Sequence, residues 1–250
     1  MRDAVILMAG AGSRLGGNVA KPLVQIGAQP LISYTLAALQ PVGVSNLHVV
    51  VSRDSEGLVR HVRQLVPESM RFNAIINPEP RKQNGISVLC AMNKVAAPFF
   101  LTMGDHLFEP RIFEQLAERG DSGLVNLAID RKIESIFDLD DAMKVETEQD
   151  RVVAIAKDLR NYDAIDTGAF LCSNEIFGYL ERAKRDGDCS LADGIRLMAN
   201  DNKVRAVDIR DAWWQDVDTP EMLQRAEEES ARLLRDGGRG LTQESVSRKG

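Results

Sequence analysis

The run Ala4-Val5-Ile6-Leu7-Met8, which leads into Gly10, contains no polar residue. A strand with one solvated face alternates apolar and polar side chains. An unbroken run is therefore covered on both faces, as in a parallel sheet with helices on either side. Short strand-like runs recur at residues 47–51, at 72–76 and at Phe99–Met103. Between them, apolar residues fall at helical spacing: Leu31, Ile32, Leu36 and Leu39; then Leu58, Val59, Val62, Leu65 and Val66; then Ile86, Val88, Leu89, Met92 and Val95. Strand and helix alternating over the first 120 residues predict a doubly wound α/β fold with a mostly parallel, Rossmann-like sheet.

The pattern changes after residue 120. Residues 123–129, 143–147 and Arg151–Ala156 read as strands joined by short charged turns, and Ala164–Cys172 as another strand. Helical stretches follow at 173–185 and 190–200, then a strand at 204–209 and a last helix to about residue 235, begun by Asp218 and Thr219 before Pro220 and Glu221. The expected organisation is one domain over 1–236, with halves at 1–120 and 121–236, the second carrying a small β-rich region. The Gly-, Ser- and Arg-containing stretch 237–250 reads as a linker or disordered end.

A formal net charge of −6 argues against general affinity for nucleic-acid backbones. Three cysteines, Cys90, Cys172 and Cys189, lack C-x-x-C spacing, which fits neither a disulfide framework nor a zinc site. No stretch reaches the roughly 18 apolar residues of a membrane span, and no signal-peptide pattern precedes Asp3. The expectation is a cytoplasmic chain without membrane contact of its own.

The segment Gly10-Ala11-Gly12-Ser13-Arg14-Leu15-Gly16-Gly17 follows the first strand. Glycines there let backbone amides approach phosphate oxygens. The dinucleotide fingerprint fails, because its third glycine comes one residue late and 35–39 holds no acid; the P-loop fails, because Asn18 follows the glycines. With Lys21-Pro22-Leu23 behind it, the segment resembles the signature of the sugar-phosphate nucleotidyltransferase superfamily. Ala20 departs from that signature, which usually has proline before the lysine; this weakens a rigidity argument and leaves the charges intact.

The resemblance implies in-line transfer of a nucleoside monophosphate from an NTP to a phosphorylated acceptor. The attacking phosphate oxygen is already anionic, so catalysis rests on positioning and preplaced positive charge rather than on a general base. Arg14 and Lys21 are the expected catalytic cations, and Ala9, Gly10, Gly12 and Ser13 the triphosphate cradle. Asp105, after the fourth apolar run, and Asp218, late in the chain, match the superfamily's metal-holding aspartates, with Mg2+ as the cofactor. Gln83, Asn84 and Gly85 lie in the loop that reads the base. Lys157, Asp158, Thr167 and Gly168 fall in the acceptor-binding half. His106 reads as a turn or packing residue and stays outside the set.

The segments 103–106, 157–160, 166–170 and 214–219 together look like the CTP:inositol-1-phosphate cytidylyltransferase family. That resemblance implies CTP and a small phosphorylated alcohol as substrates and CDP-inositol as product. Its members are often fused to a membrane-embedded CDP-alcohol phosphotransferase; the residues at 245–250 resemble the start of that linker, so this chain is expected to be a standalone version or a truncated one. Edge strands of the second half offer a route to a homodimer. Two other readings stay open: a cytidylyl-, guanylyl- or uridylyltransferase for phosphocholine or a hexose 1-phosphate, and a non-catalytic nucleotide-binding regulatory subunit.

Overall fold

The computed structural model describes residues 2–10 and 19–237, the last six without side-chain detail. In chain order, β1 (Arg2–Leu7) leads through the glycine segment and a 3-10 turn at Lys21–Leu23 to the short pair β2 (Gln25–Ile26) and β3 (Gln29–Pro30). Then come α1 (Leu31–Leu39), β4 (Val44–Ser52), α2 (Glu56–Leu65), β5 (Arg71–Asn77), α3 (Asn84–Leu89), β6 (Phe99–Met103), β7 (His106–Phe108) and α4 (Arg111–Arg119). The second half holds β8 (Val125–Asp130), β9 (Lys144–Glu148), β10 (Arg151–Ala156), β11 (Ala164–Cys172), α5 (Glu175–Ala183), α6 (Leu191–Asn200), β12 (Val204–Asp208), β13 (Trp214–Asp216) and α7 (Pro220–Gly237).

Nine strands form one sheet in the order β5-β4-β1-β6-β11-β8-β12-β10-β9. The first four run parallel, which the both-face burial of the opening strand demanded. Alternate residues of β1 feed two different cores. Val5 and Leu7 pack with α3, α5 and α6, while Ala4 and Ile6 pack with α1, α2 and α4.

Parallel order stops at β11, which enters antiparallel to both β6 and β8. Beyond it only β8 and β12 are parallel. The sheet is therefore mixed, not mostly parallel. The reason lies in β9 and β10: they form an antiparallel hairpin whose one strand pairs β12 and whose other reaches back to the start of β11. The pairings β11-β8-β12-β10-β9-β11 thus close on themselves, and β9 has no free edge where it meets β11. The two halves share this one sheet, because β11 lies beside β6.

Helix α4 was not foreseen. Its apolar residues Ile112, Phe113 and Leu116 are fully buried, each contributing roughly 1.5–3 kcal/mol of transfer free energy. The expected third helix is shorter than its apolar spacing suggests, ending at Leu89 with turns beyond. Thr219, next to Pro220, caps α7 by accepting the Met222 N–H at 3.3 Å. Of the segment 237–250, expected to be a linker or disordered end, Gly237 closes α7 and 238–250 lie outside the described residues. No helix among the described residues is long and apolar enough to cross a membrane.

Candidate active site

A cavity of about 960 Å³ opens at the carboxyl ends of the parallel strands, where open α/β sheets place ligands. Its walls come from Ala9 and Gly10 after β1, Asp54 and Ser55 after β4, Gly104 and Asp105 after β6, and the strap 130–143 between β8 and β9.

The 3-10 turn buries Lys21 and Pro22, so the Lys21 ammonium has a fixed origin at the cavity floor. Ala20, just before it, adopts φ −61° and ψ 135°, a conformation proline would also take; the departure at this position changes stiffness and not geometry. Lys21 Nζ lies 3.6 Å from Asp105 Oδ2 and donates a short hydrogen bond to Asp218 Oδ1.

Two residues more than a hundred positions apart meet there because β13 pairs antiparallel with β7, Asp216 opposite His106, and Val217 N–H donates to the Asp105 carbonyl at 2.9 Å. Gly104 lets the turn after β6 pack closely against the end of β1. Its N–H bonds the Leu7 carbonyl at 2.9 Å, and a Cβ there would fall 2.7 Å from the Met8 side chain. Helix capping does not account for Asp218, since Thr219 performs it.

Asp105 Oδ1 accepts a hydrogen bond from His106 Nδ1 at 2.8 Å. Burial by itself would raise the Asp105 pKa, but the His106 hydrogen bond, the imidazole charge and Lys21 outweigh it and hold the carboxyl at about 2. Burial also opposes the charge on His106, yet the bond to Asp105 and the nearby Asp216 and Asp166 raise its pKa overall. Asp166 is pushed up to about 6 by burial, against a bond from the Gly168 N–H, and burial likewise raises Asp216. The centre is thus a charged cluster lining the cavity, and His106, read as a turn or packing residue, stands in its middle. The pairing of β13 on β7 decides this, and no local pattern around His106 signals it.

The opposite wall was largely missed. Asp130, only 2% exposed, accepts from Lys132 Nζ at 2.8 Å and from Trp214 Nε1 at 3.0 Å. Lys132 also donates to the Arg210 and Ala212 carbonyls. Arg225, on α7, holds the Ser135 carbonyl at 2.9 Å and lies 5.5 Å over the exposed Phe137 ring. Asp130 ends a strand, which is a signal that sequence inspection can use; Arg225 carries none.

The remaining expected residues divide. Ala9, Gly10, Asn84, Lys157 and Gly168 line the cavity. Lys157 is exposed and paired with Asp141 at 2.6 Å. Asn84 Oδ1 accepts the Leu191 N–H at 2.8 Å, and Gln83 N–H donates to Asp188 at 3.0 Å, so the loop leans on the start of α6. Gly85 is packed where a Cβ would meet the Cys189 carbonyl at 2.6 Å. Thr167 is fully buried and donates to the Ala128 carbonyl at 2.9 Å, and Asp158 is an exposed turn residue; neither lines the cavity. Gly12, Ser13 and Arg14 lie outside the described residues.

Among the described residues no group of three or more His, Cys, Asp or Glu converges to hold a metal unaided. Two carboxylates meeting on one cationic group do fit Mg2+, which usually takes one or two carboxylates and completes its shell with water and substrate phosphates. Here the Lys21 ammonium stands at the point where positive charge is wanted.

Comparisons with known proteins bear on the family and the fold. The model of the MobA-like NTP transferase domain matches residues 4–136. The chain is 33% identical over its whole length to the bifunctional IPC transferase and DIPP synthase of Archaeoglobus fulgidus, covering 48% of that protein. It is 36% identical over 98% of its length to the protein of the same name from Thermococcus kodakarensis, covering 55% of that one. The chain thus spans about half the length of these curated relatives. The solved inositol-1-phosphate CTP transferase of T. maritima superposes with a TM-score of 0.84 at 25% identity, over 94% of this chain and 96% of that one. The chain belongs to the MobA-like NTP transferase domain family of nucleotidyltransferases.

Proposed function

We propose that this chain transfers a cytidylyl group from CTP to inositol 1-phosphate, giving CDP-inositol and pyrophosphate. The observation that carries the reading is the meeting of Lys21, Asp105 and Asp218 in one cavity beside the loop after β1. An acceptor phosphate oxygen attacks the α-phosphorus, the bond from that phosphorus to the bridging oxygen of the β-phosphate breaks, and pyrophosphate leaves with the electron pair.

Ala9, Gly10, Gly12 and Ser13 offer the triphosphate a path along the peptide chain, and Lys21 and Arg14 neutralise charge there. Asp105 and Asp218 would hold Mg2+, which when bound draws charge from the phosphate oxygens. Asn84 and Gln83 border the base, steadied by Leu191 and Asp188. On the far wall Lys157 faces the acceptor phosphate, and Asp166 and Asp216 are suited to accept hydrogen bonds from polyol hydroxyls. CTP and inositol 1-phosphate are the inference that joins this cavity to the names of the relatives. A CDP-alcohol phosphotransferase is the partner that would use the product.

A second acceptor has one observation in its favour. Trp213, Trp214 and Phe137 line the cavity together with these carboxylates, a combination that also suits a trimethylammonium group such as that of phosphocholine. Pyrophosphate release measured with CTP and Mg2+ against inositol 1-phosphate, phosphocholine and hexose 1-phosphates separates the two. Turnover with inositol 1-phosphate well above the others is expected. Stabilisation by GTP alone in a thermal-shift panel of four nucleotides would reject cytidine. Tight nucleotide binding without turnover on any acceptor would make the chain a sensor.

A further inference from the structure

Asp105 presents its two carboxylate oxygens to different neighbours. Oδ2 faces Lys21 at 3.6 Å, on the side shared with Asp218, and Oδ1 is held by His106 Nδ1 at 2.8 Å. The imidazole making that bond is itself packed in place. Its ring lies nearly parallel to Phe108, at 5.7 Å and 20°, and to Trp214, at 6.0 Å and 15°. Its Nε2 edge abuts Gly168, whose φ of +76° and missing side chain leave it room; a Cβ there would come within 2.8 Å of Nε2. The His106 carbonyl accepts from the fully buried Thr35 hydroxyl at 3.1 Å. Since a carboxylate accepts only, Nδ1 carries the proton of the bond to Asp105. Plain packing needs neither the donor nor the open corner at Gly168. A carboxylate with one oxygen tethered loses its rotational freedom and offers the other oxygen in a single direction.

We propose that His106 is the positioning residue of the cation site: by holding Asp105 Oδ1 it turns Oδ2 toward Asp218, so that the two aspartates receive a divalent cation already aligned. This rests on the reading of Asp105 and Asp218 as the metal pair. His106 acts through Asp105 and needs no contact with substrate. Replacing its donor therefore weakens the metal and spares the fold, whereas removing only its ring does not weaken the metal.

The test uses Mn2+ as probe, binding to the full chain saturated with CTP and followed by electron paramagnetic resonance, with melting temperature measured without metal. His106→Phe keeps a ring against Phe108 and Trp214 and lacks the donor; His106→Asn supplies a donor near the position of Nδ1 and lacks the ring. His106→Phe should weaken Mn2+ about tenfold, and His106→Asn should stay within about threefold of the parent. Mn2+ binding by His106→Phe equal to the parent's, or His106→Asn as weak as His106→Phe, would overturn the proposal and leave the ring a packing role. Asp105→Asn separates the two levels. If it fails to weaken Mn2+, the metal pair itself is wrong; if it weakens Mn2+ while His106→Phe does not, only the role of His106 falls.

Discussion

The two walls of the cavity are built by different means. On one side, parallel strands end together and the short segments after them supply cavity-lining residues directly: Ala9 and Gly10 after β1, Asp105 after β6. On the opposite wall, strands of mixed direction close into a ring, and the wall is assembled from the strap 130–143, Trp214 and Arg225, cross-linked through Asp130, Lys132 and the Ser135 carbonyl. A parallel sheet concentrates chemistry at one end by topology alone. The mixed region has no such end, so it must place its groups by side-chain bonds between distant segments. The difference teaches that damage on the first wall should appear as lost catalysis, and on the second as lost structure or altered acceptor affinity.

Asp105→Ala should test the first half of that statement with the largest effect. Loss of one carboxylate of the cation pair is expected to lower kcat by roughly 10²–10³-fold while far-ultraviolet circular dichroism stays unchanged. Activity equal to the parent would remove Asp105 from the site. Asp130→Ala probes the second half. It leaves the Trp214 indole N–H without its acceptor and removes one of three acceptors from Lys132, and urea unfolding should show a loss of about 1–3 kcal/mol. A stable variant with reduced kcat alone would erase the distinction between the walls.

Lys157→Ala is expected to be milder, because the side chain is exposed and already paired with Asp141. The KM for the acceptor should rise by about two- to fivefold, the range of a weak surface contact, with the KM for CTP unchanged. The reverse pattern would move Lys157 to the nucleotide. The smallest effect concerns stability on the nucleotide side, away from the chemistry. Burial lowers the His48 pKa, Asp3 opposes this and Lys94 adds to it. The unfolded chain takes up a proton near pH 6.5 while the folded one resists until a lower pH, so the His48 contribution is complete above that value and lost as pH falls through it. Unfolding free energies measured between pH 7.5 and 5 should show this decline, and His48→Gln should flatten it; an equal slope in both proteins would assign the decline to other groups.

Much of the nucleotide side was legible in the sequence, and the physical reason is locality. Burial on both faces forces an unbroken apolar run, so the opening strand is written in consecutive residues; Lys21 was read from its place behind the glycine segment and Asp105 from its place after the fourth apolar run. The roles assigned to Gln83, Asn84 and Gly85 were drawn from position in a loop, and such a position does not reveal that Asn84 also bonds Leu191 or that Gly85 is there to let Cys189 approach. Thr167 shows the same limit from the other side: it sits in a segment with binding chemistry, yet the strand turns its hydroxyl into the sheet to bond Ala128.

By itself, the sequence determined an α/β chain with parallel strands at its start, since burial on both faces is written in runs of neighbouring residues; the phosphate role of the glycine segment and the metal role of Asp105 and Asp218 came from family resemblance and belong to the proposed function. Only the tertiary structure decided that β11 would interrupt the parallel order, that the register of β13 on β7 would bring Asp218 to Asp105, and that His106 would lie beside the Phe108 and Trp214 rings with its Nδ1 on Asp105. Those contacts depend on how strands far apart in the chain align, and alignment is fixed by the packing of the whole sheet rather than by any local run of residues.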